Sequence, residues 1–188
     1  MFRILSMEKK ETLKNKKVKD LISSLSSTDE KVLLKTIKSL KIHGNETAIE
    51  PLVTLLTKTD SRAVINEITD LLNTIKFTAV PKEIARCLIN EDYSKVTQHL
   101  MVSIWSSGLD YGSFMGEIAT ATIKGDLMEA VECITILENL NKPLDENEIM
   151  DALLVFQSYL VEVKDKTGPK DDIIKEIVQM LQLMNDSI

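Results

Sequence analysis

The chain has 188 residues, of which 44% are hydrophobic and 28% charged, and its formal net charge is −6. This composition is typical of a soluble globular protein and excludes disordered, collagenous and low-complexity classes. Two cysteines exclude a disulfide scaffold and favour a reducing compartment, so we predict a cytoplasmic location. No apolar run approaches the ~20 residues of a membrane-spanning helix, and the first residues lack the apolar stretch of a secretory signal.

Charge is distributed unevenly along the chain. Residues 1–89 carry an excess of basic side chains, and residues 90–151 carry an excess of acidic ones. This asymmetry is compatible with different partners at the two ends or simply with a solvated surface. The first 16 residues are predicted to form a polar, basic N-terminal segment, although Met7 could equally be the start.

Four short segments align around an aspartate, at steps of 31, 32 and 34 residues, which indicates an internal repeat. An apolar pair with helical spacing precedes each aspartate, and a second apolar set follows it at offsets of four, eight and eleven residues. We therefore predict two short helices per repeat, joined by a turn at the aspartate, whose side chain caps the second helix. A structural role for these aspartates is favoured over a catalytic one. The four aspartates are Asp29, Asp60, Asp92 and Asp126.

The last part of the chain, 145–188, contains a longer and more divergent helix pair. Its two predicted helices run from Asp145 to Lys164 and from Pro169 to Met184, and Pro169 stands where a helix favours proline. We predict that this pair caps the stack, so that residues 1–188 form a single domain.

The segment Leu40–Leu56, of sequence LKIHGNETAIEPLVTLL, resembles the junction between HEAT repeats, including the short kind found in phycobilisome-lyase-type repeats. The similarity is best over residues 17–76 and fades beyond about residue 110. The resemblance implies an all-α protein, a HEAT-like α-α superhelix (solenoid) of about five helix pairs, with the second helices lining its concave side. Such repeats serve mostly as interaction surfaces, so the resemblance implies no single function.

The offsets also predict an exposed ridge. If offsets four, eight and eleven face the core, then offsets six, nine and thirteen face away from it. Met101 and Trp105 interrupt this polar ridge; they either form an apolar anchor for a partner, or Trp105 is buried against the next helix pair. The predicted partner-binding residues are Lys35, Lys38, Asn66, Gln98, Met101, Trp105, Glu132 and Thr135.

Patterns that carry catalysis are missing from the sequence. The only histidines, His43 and His99, form no zinc-binding pattern, and the chain lacks phosphate-binding glycine loops and nucleophile turns. Cys87 and Cys133 lie in apolar helix segments and are predicted to be structural thiols. The sequence therefore predicts no catalytic residue, no metal site, no cofactor and no enzymatic activity. Two acidic pairs lack further ligands nearby in sequence: Glu146/Glu148 and Asp171/Asp172.

The leading hypothesis is a non-catalytic protein-interaction module or scaffold that binds a segment of a partner protein along the concave face. A second hypothesis is nucleic-acid binding by analogy with HEAT-like DNA glycosylases, which the acidic charge disfavours because phosphates require Lys and Arg. A third is an enzyme resembling phycobilin lyases, which the aromatic content of 4% disfavours because a tetrapyrrole needs a large pocket. Self-association through terminal helices such as 149–163 is a fourth.

Overall fold

The computed structural model describes residue 13 and residues 15–162 and 168–188. These residues form ten α-helices and three short 3₁₀ helices and contain no β-strand, which confirms the predicted all-α class. Most of the predicted N-terminal segment, residues 1–12 and 14, lies outside the described residues. The α-helices are α1 (15–24), α2 (Glu30–His43), α3 (Ile49–Lys58), α4 (Arg62–Thr74), α5 (Val80–Leu88), α6 (Thr97–Ser107), α7 (Met115–Lys124), α8 (Leu127–Glu138), α9 (Glu146–Glu162) and α10 (Pro169–Asn185).

The helices form two layers, because helices two places apart along the chain pack against each other. In the even layer α2, α4, α6, α8 and α10 each pack against the next, and in the odd layer α3, α5, α7 and α9 do the same. Successive helices such as α7 and α8, or α9 and α10, also pack together and join the layers. The predicted helix pairs are thus present, and consecutive pairs are neighbours in space.

The four aspartates all lie in the connection between the two helices of a pair, but only two of them cap the second helix. The Asp29 side chain accepts hydrogen bonds from the backbone N–H groups of Lys31 and Val32. The Asp126 side chain accepts one from Met128 N, and Glu129 completes a capping box by accepting from Asp126 N at 2.9 Å.

The capping prediction is wrong for Asp60 and Asp92. Helix α4 is capped instead by Ser61, whose Oγ accepts from Val64 N. Asp92 lies inside a 3₁₀ helix, Glu91–Val96, which Asn90 caps, so that α6 begins only at Thr97. In both turns a second residue with a good capping side chain stands within two positions of the aspartate, and the backbone uses that residue.

The predicted core stripe is confirmed. Residues at offsets four and eleven are buried in all four repeats, and at offset eight only Ile134 keeps partial exposure. Burial of these apolar side chains removes them from water and so stabilises the packing of the layers. The buried members are Leu33, Ile37, Leu40, Val64, Ile68, Leu71, Val96, Leu100, Ser103, Ala130 and Leu137.

In the C-terminal pair, the start of α9 and both ends of α10 lie within one residue of the predicted bounds, whereas the predicted end of the first helix, Lys164, lies outside the described residues. Asp145 and Glu148 cap the start of α9 reciprocally, since Glu148 N donates to Asp145 Oδ1 and Asp145 N donates to Glu148 Oε2. Gly168 N donates to Asp171, which also accepts a hydrogen bond of 2.8 Å from the Tyr159 hydroxyl and so links α10 to α9. Within the described parts of the chain, no helix combines the length and the hydropathy that crossing a membrane requires.

Candidate interaction surface

The structure brings most of the predicted ridge onto the even layer. Lys35, Lys38, Asn66 and Gln98 are exposed on α2, α4 and α6, and Glu132 and Thr135 are half-buried on α8. We call the surface formed by these six residues and Trp105 the even-helix face. Contacts between neighbouring helices join parts of this face, but Lys35 on α2 and Trp105 on α6 lie on helices separated by α4.

Met101 does not belong to this face, and its prediction as an exposed residue is wrong. Its exposed fraction is 0%. On α2 the offset-nine residue, Lys38, reaches the next even helix, since its ammonium group lies 3.8 Å from the Glu67 carboxylate on α4. A lysine at this offset extends its ammonium group to solvent. Helix α6 packs against both α4 and α8, and the methionine at this offset fills the gap between helices.

Trp105 is half-buried. It is partly accessible, as the anchor hypothesis requires, and partly packed against the neighbouring pair, as the alternative predicts. Its ring packs against the hydrophobic core, and its indole N–H donates a hydrogen bond of 2.9 Å to the Glu132 carboxylate on α8. The polar edge of the indole is thus satisfied by the neighbouring helix, while part of the ring remains accessible at the surface. This bond fixes the orientation of the tryptophan on the even-helix face.

A narrow crevice lies beside Trp105, between the C-terminal ends of α6 and α8. Tyr111 and Leu144 contribute to its lining, together with the polar residues Asn139 and Lys142. Its volume is about 20 Å³, close to the space of one water molecule and far below the size of a cofactor site. The crevice can therefore admit a small group from a partner and no larger ligand.

The end of α6 is held by residues from the repeats on either side. Gly108 ends the helix with a φ of +62°, in the left-handed region that glycine adopts without strain. The Lys76 ammonium donates to the Ser107 carbonyl oxygen, and Asn141 Nδ2 donates to the Gly108 carbonyl oxygen at 2.6 Å. These two side chains satisfy carbonyl groups that a helix end leaves without an internal partner.

Ion pairs between neighbouring repeats accompany these contacts. Lys41 on α2 pairs with Asp70 on α4, and Lys142 bonds Asp110 at 2.9 Å. The hydrogen bond from Lys142, together with one from the Gly112 backbone, lowers the pKa of Asp110, and Asp110 in turn raises the pKa of Lys142. Sequence reasoning missed these pairs, although one signal was available: opposite charges stand about one repeat length apart.

A wider groove lies on the odd layer, between α1 and α3, and sequence reasoning missed it as well. At its border the Tyr93 hydroxyl lies 3.1 Å from Thr54 Oγ1 and donates to Glu50, and Arg86 bonds the same carboxylate at 2.6 Å. These polar groups bond to one another, so they join α3, α5 and the 3₁₀ helix Glu91–Val96 and do not require a ligand.

The thiols fit the predicted structural role. Cys87 and Cys133 are free and buried, and desolvation raises the pKa of each thiol to about 12, with the Glu50 charge adding to the effect at Cys87. Such thiols are protonated and unreactive at neutral pH. Over the described ranges, no group of three or more His, Cys, Asp or Glu residues is placed to hold a metal ion.

No protein-family model, no curated protein and no solved structure matches the chain.

Proposed function

We propose that the protein is a cytoplasmic, HEAT-like α-solenoid without catalytic activity, whose even-helix face binds a segment of a partner protein. From α2 to α10, each helix packs against the helix two places along the chain, which supports the solenoid arrangement because repeat proteins stack in this way. The core stripe at offsets four, eight and eleven, which recurs in the four repeats, also supports the solenoid arrangement. Two free, buried thiols suit a reducing compartment.

The half-exposed Trp105 is the observation that carries the binding proposal. Tryptophan is enriched among the residues that dominate binding energy, and it contributes most when it stands beside a pocket that a partner can fill. Trp105 borders the crevice between α6 and α8, and Glu132 holds its indole in place. A rigid aromatic ring binds at a small cost in conformational entropy.

Charge along the face indicates the chemistry of the partner segment. Helix α2 carries four lysines and one glutamate, whereas α8 carries three glutamates and no basic residue. A segment that is acidic at the end near α2 and basic at the end near α8, with an apolar side chain between them, complements this face. Electrostatic complementarity of this kind fixes orientation and speeds association.

The first experiment compares Trp105→Ala with Tyr93→Ala. Both positions are half-buried aromatic residues, but Tyr93 borders the groove on the odd layer. Partners captured from native cell extract by the wild-type protein are expected to be lost with Trp105→Ala and retained with Tyr93→Ala. Because Trp105 is the single tryptophan, its fluorescence reports binding of each captured partner directly.

A second pair of variants tests the charges without changing the net charge. Lys35→Glu with Glu132→Lys exchanges one charge at each end of the even-helix face, and Lys82→Glu with Glu117→Lys makes the same exchange on the odd layer. The first variant is expected to lose the partner and the second to keep it, while both keep the wild-type helix content by circular dichroism. If Trp105→Ala and the Lys35→Glu, Glu132→Lys variant both captured the partner as well as the wild-type protein does, the proposal would be contradicted.

A further inference from the structure

Helix α8 has a largely apolar stripe on its outer side, formed by Met128, Val131 and Thr135, which we call the α8 stripe. Met128 and Val131 are 46% and 38% exposed, and the spacing of three and four residues places the stripe along one side of the helix. Ala130 and Cys133 are buried, and each comes two positions after a residue of the stripe, which is about 200° around the helix axis. The α8 stripe therefore faces away from the odd layer.

The α8 stripe is continuous with the even-helix face. Thr135 belongs to both, and Glu132, the residue after Val131, accepts the hydrogen bond from the Trp105 indole at 2.9 Å. Trp105 and the stripe thus lie on neighbouring helices, and the axes of packed helices are about 8–10 Å apart. A partner segment that covers Trp105 can therefore contact the α8 stripe as well.

The surroundings of the α8 stripe are acidic. Helices α6, α8 and α10 together contain six acidic residues and two lysines. Both lysines are already bonded, Lys175 to Asp172 and Lys170 to backbone carbonyl oxygens. Such a surface repels nucleic acid, anionic lipid headgroups and the same surface of a second copy, whereas it attracts Lys and Arg side chains.

Glu132 is the carboxylate that can receive a basic side chain next to the stripe. Its Oε2 atom accepts the indole hydrogen bond, and none of the described residues donates to its Oε1 atom. Glu129 is different, because it completes the capping box at Asp126 N. A Lys or Arg side chain bonded to Glu132 would lie between Trp105 and the α8 stripe, in a half-buried position where a charge-assisted hydrogen bond is strong.

We propose that the partner segment carries two apolar side chains and a Lys or Arg between them. One apolar side chain contacts Trp105, the other covers Met128 and Val131, and the basic side chain bonds Glu132 Oε1. This inference rests on the proposed function and adds the sequence features that a partner must have. Met128 and Val131 are then specificity-determining, because a segment with one apolar side chain leaves them exposed.

Selection from a random peptide library displayed on phage tests the proposal without the natural partner. The immobilised full chain is expected to enrich peptides with two large apolar residues that flank a Lys or Arg. One enriched peptide is then synthesised with a fluorescent label, and its affinity for each variant is measured by fluorescence anisotropy.

Met128→Gln with Val131→Gln removes the apolar surface and retains the helix, because glutamine is a good helix former. This pair is expected to bind the peptide at least about tenfold more weakly. The matched control is Met150→Gln with Leu154→Gln, which removes two residues that are 42% and 59% exposed on α9 of the odd layer, and it should bind like wild type. Both pairs should keep the wild-type helix content by circular dichroism.

Glu132→Gln tests the basic side chain. It removes the charge and keeps an oxygen that can accept from the Trp105 indole. The enriched peptide should bind this variant more weakly and with less dependence on salt. A peptide in which glutamine replaces the Lys or Arg should bind wild type and Glu132→Gln equally, as expected when the variant and the peptide change remove the same interaction.

The outcomes separate this inference from the proposed function. Peptide binding that is lost in Trp105→Ala but unchanged in the Met128→Gln, Val131→Gln pair would overturn the inference and leave the proposed function standing. Equal weakening by the α9 control pair, or enrichment of peptides without Lys or Arg, would also overturn the inference. A library that yields no binding peptide, or only peptides that bind Trp105→Ala as well as wild type, would contradict both proposals.

Discussion

Helices α4 and α6 occupy the same place in successive pairs, but they differ in how much of their surface they bury. Helix α4 buries one stripe, Val64, Ile68, Leu71 and Leu72. Helix α6 starts after a 3₁₀ turn and buries a wider set: Thr97, Leu100, Met101, Ser103, Ile104 and Ser107. Position in the repeat therefore determines which side faces the other layer, whereas residue size and neighbouring helices determine how far burial spreads around the helix.

The serines of α6 account for part of the difference. Offset eleven is leucine in the other three repeats, but in α6 it is Ser103, whose hydroxyl donates to the Leu100 carbonyl at 2.7 Å. Ser107 bonds the Ile104 carbonyl in the same way. These small residues satisfy their polar groups within the helix, so they can be buried, and Met101 and Ile104 provide apolar volume beside them.

The largest effect is expected from Met101→Lys. An unpaired ammonium group between α6 and its neighbours should cost about 4 kcal/mol or more of unfolding free energy, which is most of the stability of a domain near the ~5 kcal/mol lower end of the usual range. Gln98→Lys, three residues earlier and exposed, should change this free energy by less than about 0.5 kcal/mol. Urea denaturation followed by circular dichroism measures both; a stable Met101→Lys variant would show that offset nine of α6 faces solvent.

Filling the offset-eleven position of α6 should have the next largest effect. Ser103→Leu restores the leucine of the other repeats, but Ser103 is only 1% exposed in a site that is already packed. Overpacking of this kind is expected to lower the unfolding free energy by about 1–3 kcal/mol. A gain in stability in urea denaturation would instead indicate an unfilled cavity beside α6.

The end of α6 offers a smaller effect with an internal control. Gly108→Ala forces a Cβ atom into the left-handed region and should cost about 1–2 kcal/mol, although the nearest atom would be 3.7 Å away. Gly116→Ala, inside α7 and without positive φ, should instead stabilise the protein by roughly 0.5–1 kcal/mol. Thermal unfolding of the two variants should therefore shift in opposite directions; shifts of the same sign would contradict the backbone explanation.

The smallest effect concerns the start of α4. Ser61→Ala removes the cap and should cost about 1 kcal/mol, whereas Asp60→Ala should change stability by less than about 0.5 kcal/mol. Asp92→Ala should be equally mild, because Asn90 caps the 3₁₀ helix before α6. Chemical denaturation resolves the three variants, and a larger loss with Asp60→Ala than with Ser61→Ala would restore the aspartate as the cap.

The sequence predicted the helix pairs and their inward faces because local periodicity determines both. Val64 and Leu100 could be placed in the core from spacing alone. The sequence pattern does not distinguish Asp60 from Ser61 as the cap of α4, since both residue types cap well. It also does not predict the burial of Met101, because that burial depends on the helices of the neighbouring repeats. The salt bridge of Lys142 and the docking of Trp105 on Glu132 likewise join residues about one repeat apart, and their contact depends on how the repeats stack.

The cross-repeat contacts at the end of α6 have a consequence for the length of the protein. Lys76 comes from the connection before α5, and Asn141 comes from the connection before α9, yet both bind carbonyl oxygens at residues 107 and 108. Excising α7, α8 and the connection that carries Asn141 would leave the Gly108 carbonyl without its donor. Excising α5, α6 and Gly108 would remove the carbonyl groups to which Lys76 and Asn141 donate. The loss of a repeat would therefore leave particular polar groups without hydrogen-bond partners, and a shortened chain would need compensating substitutions at each new junction.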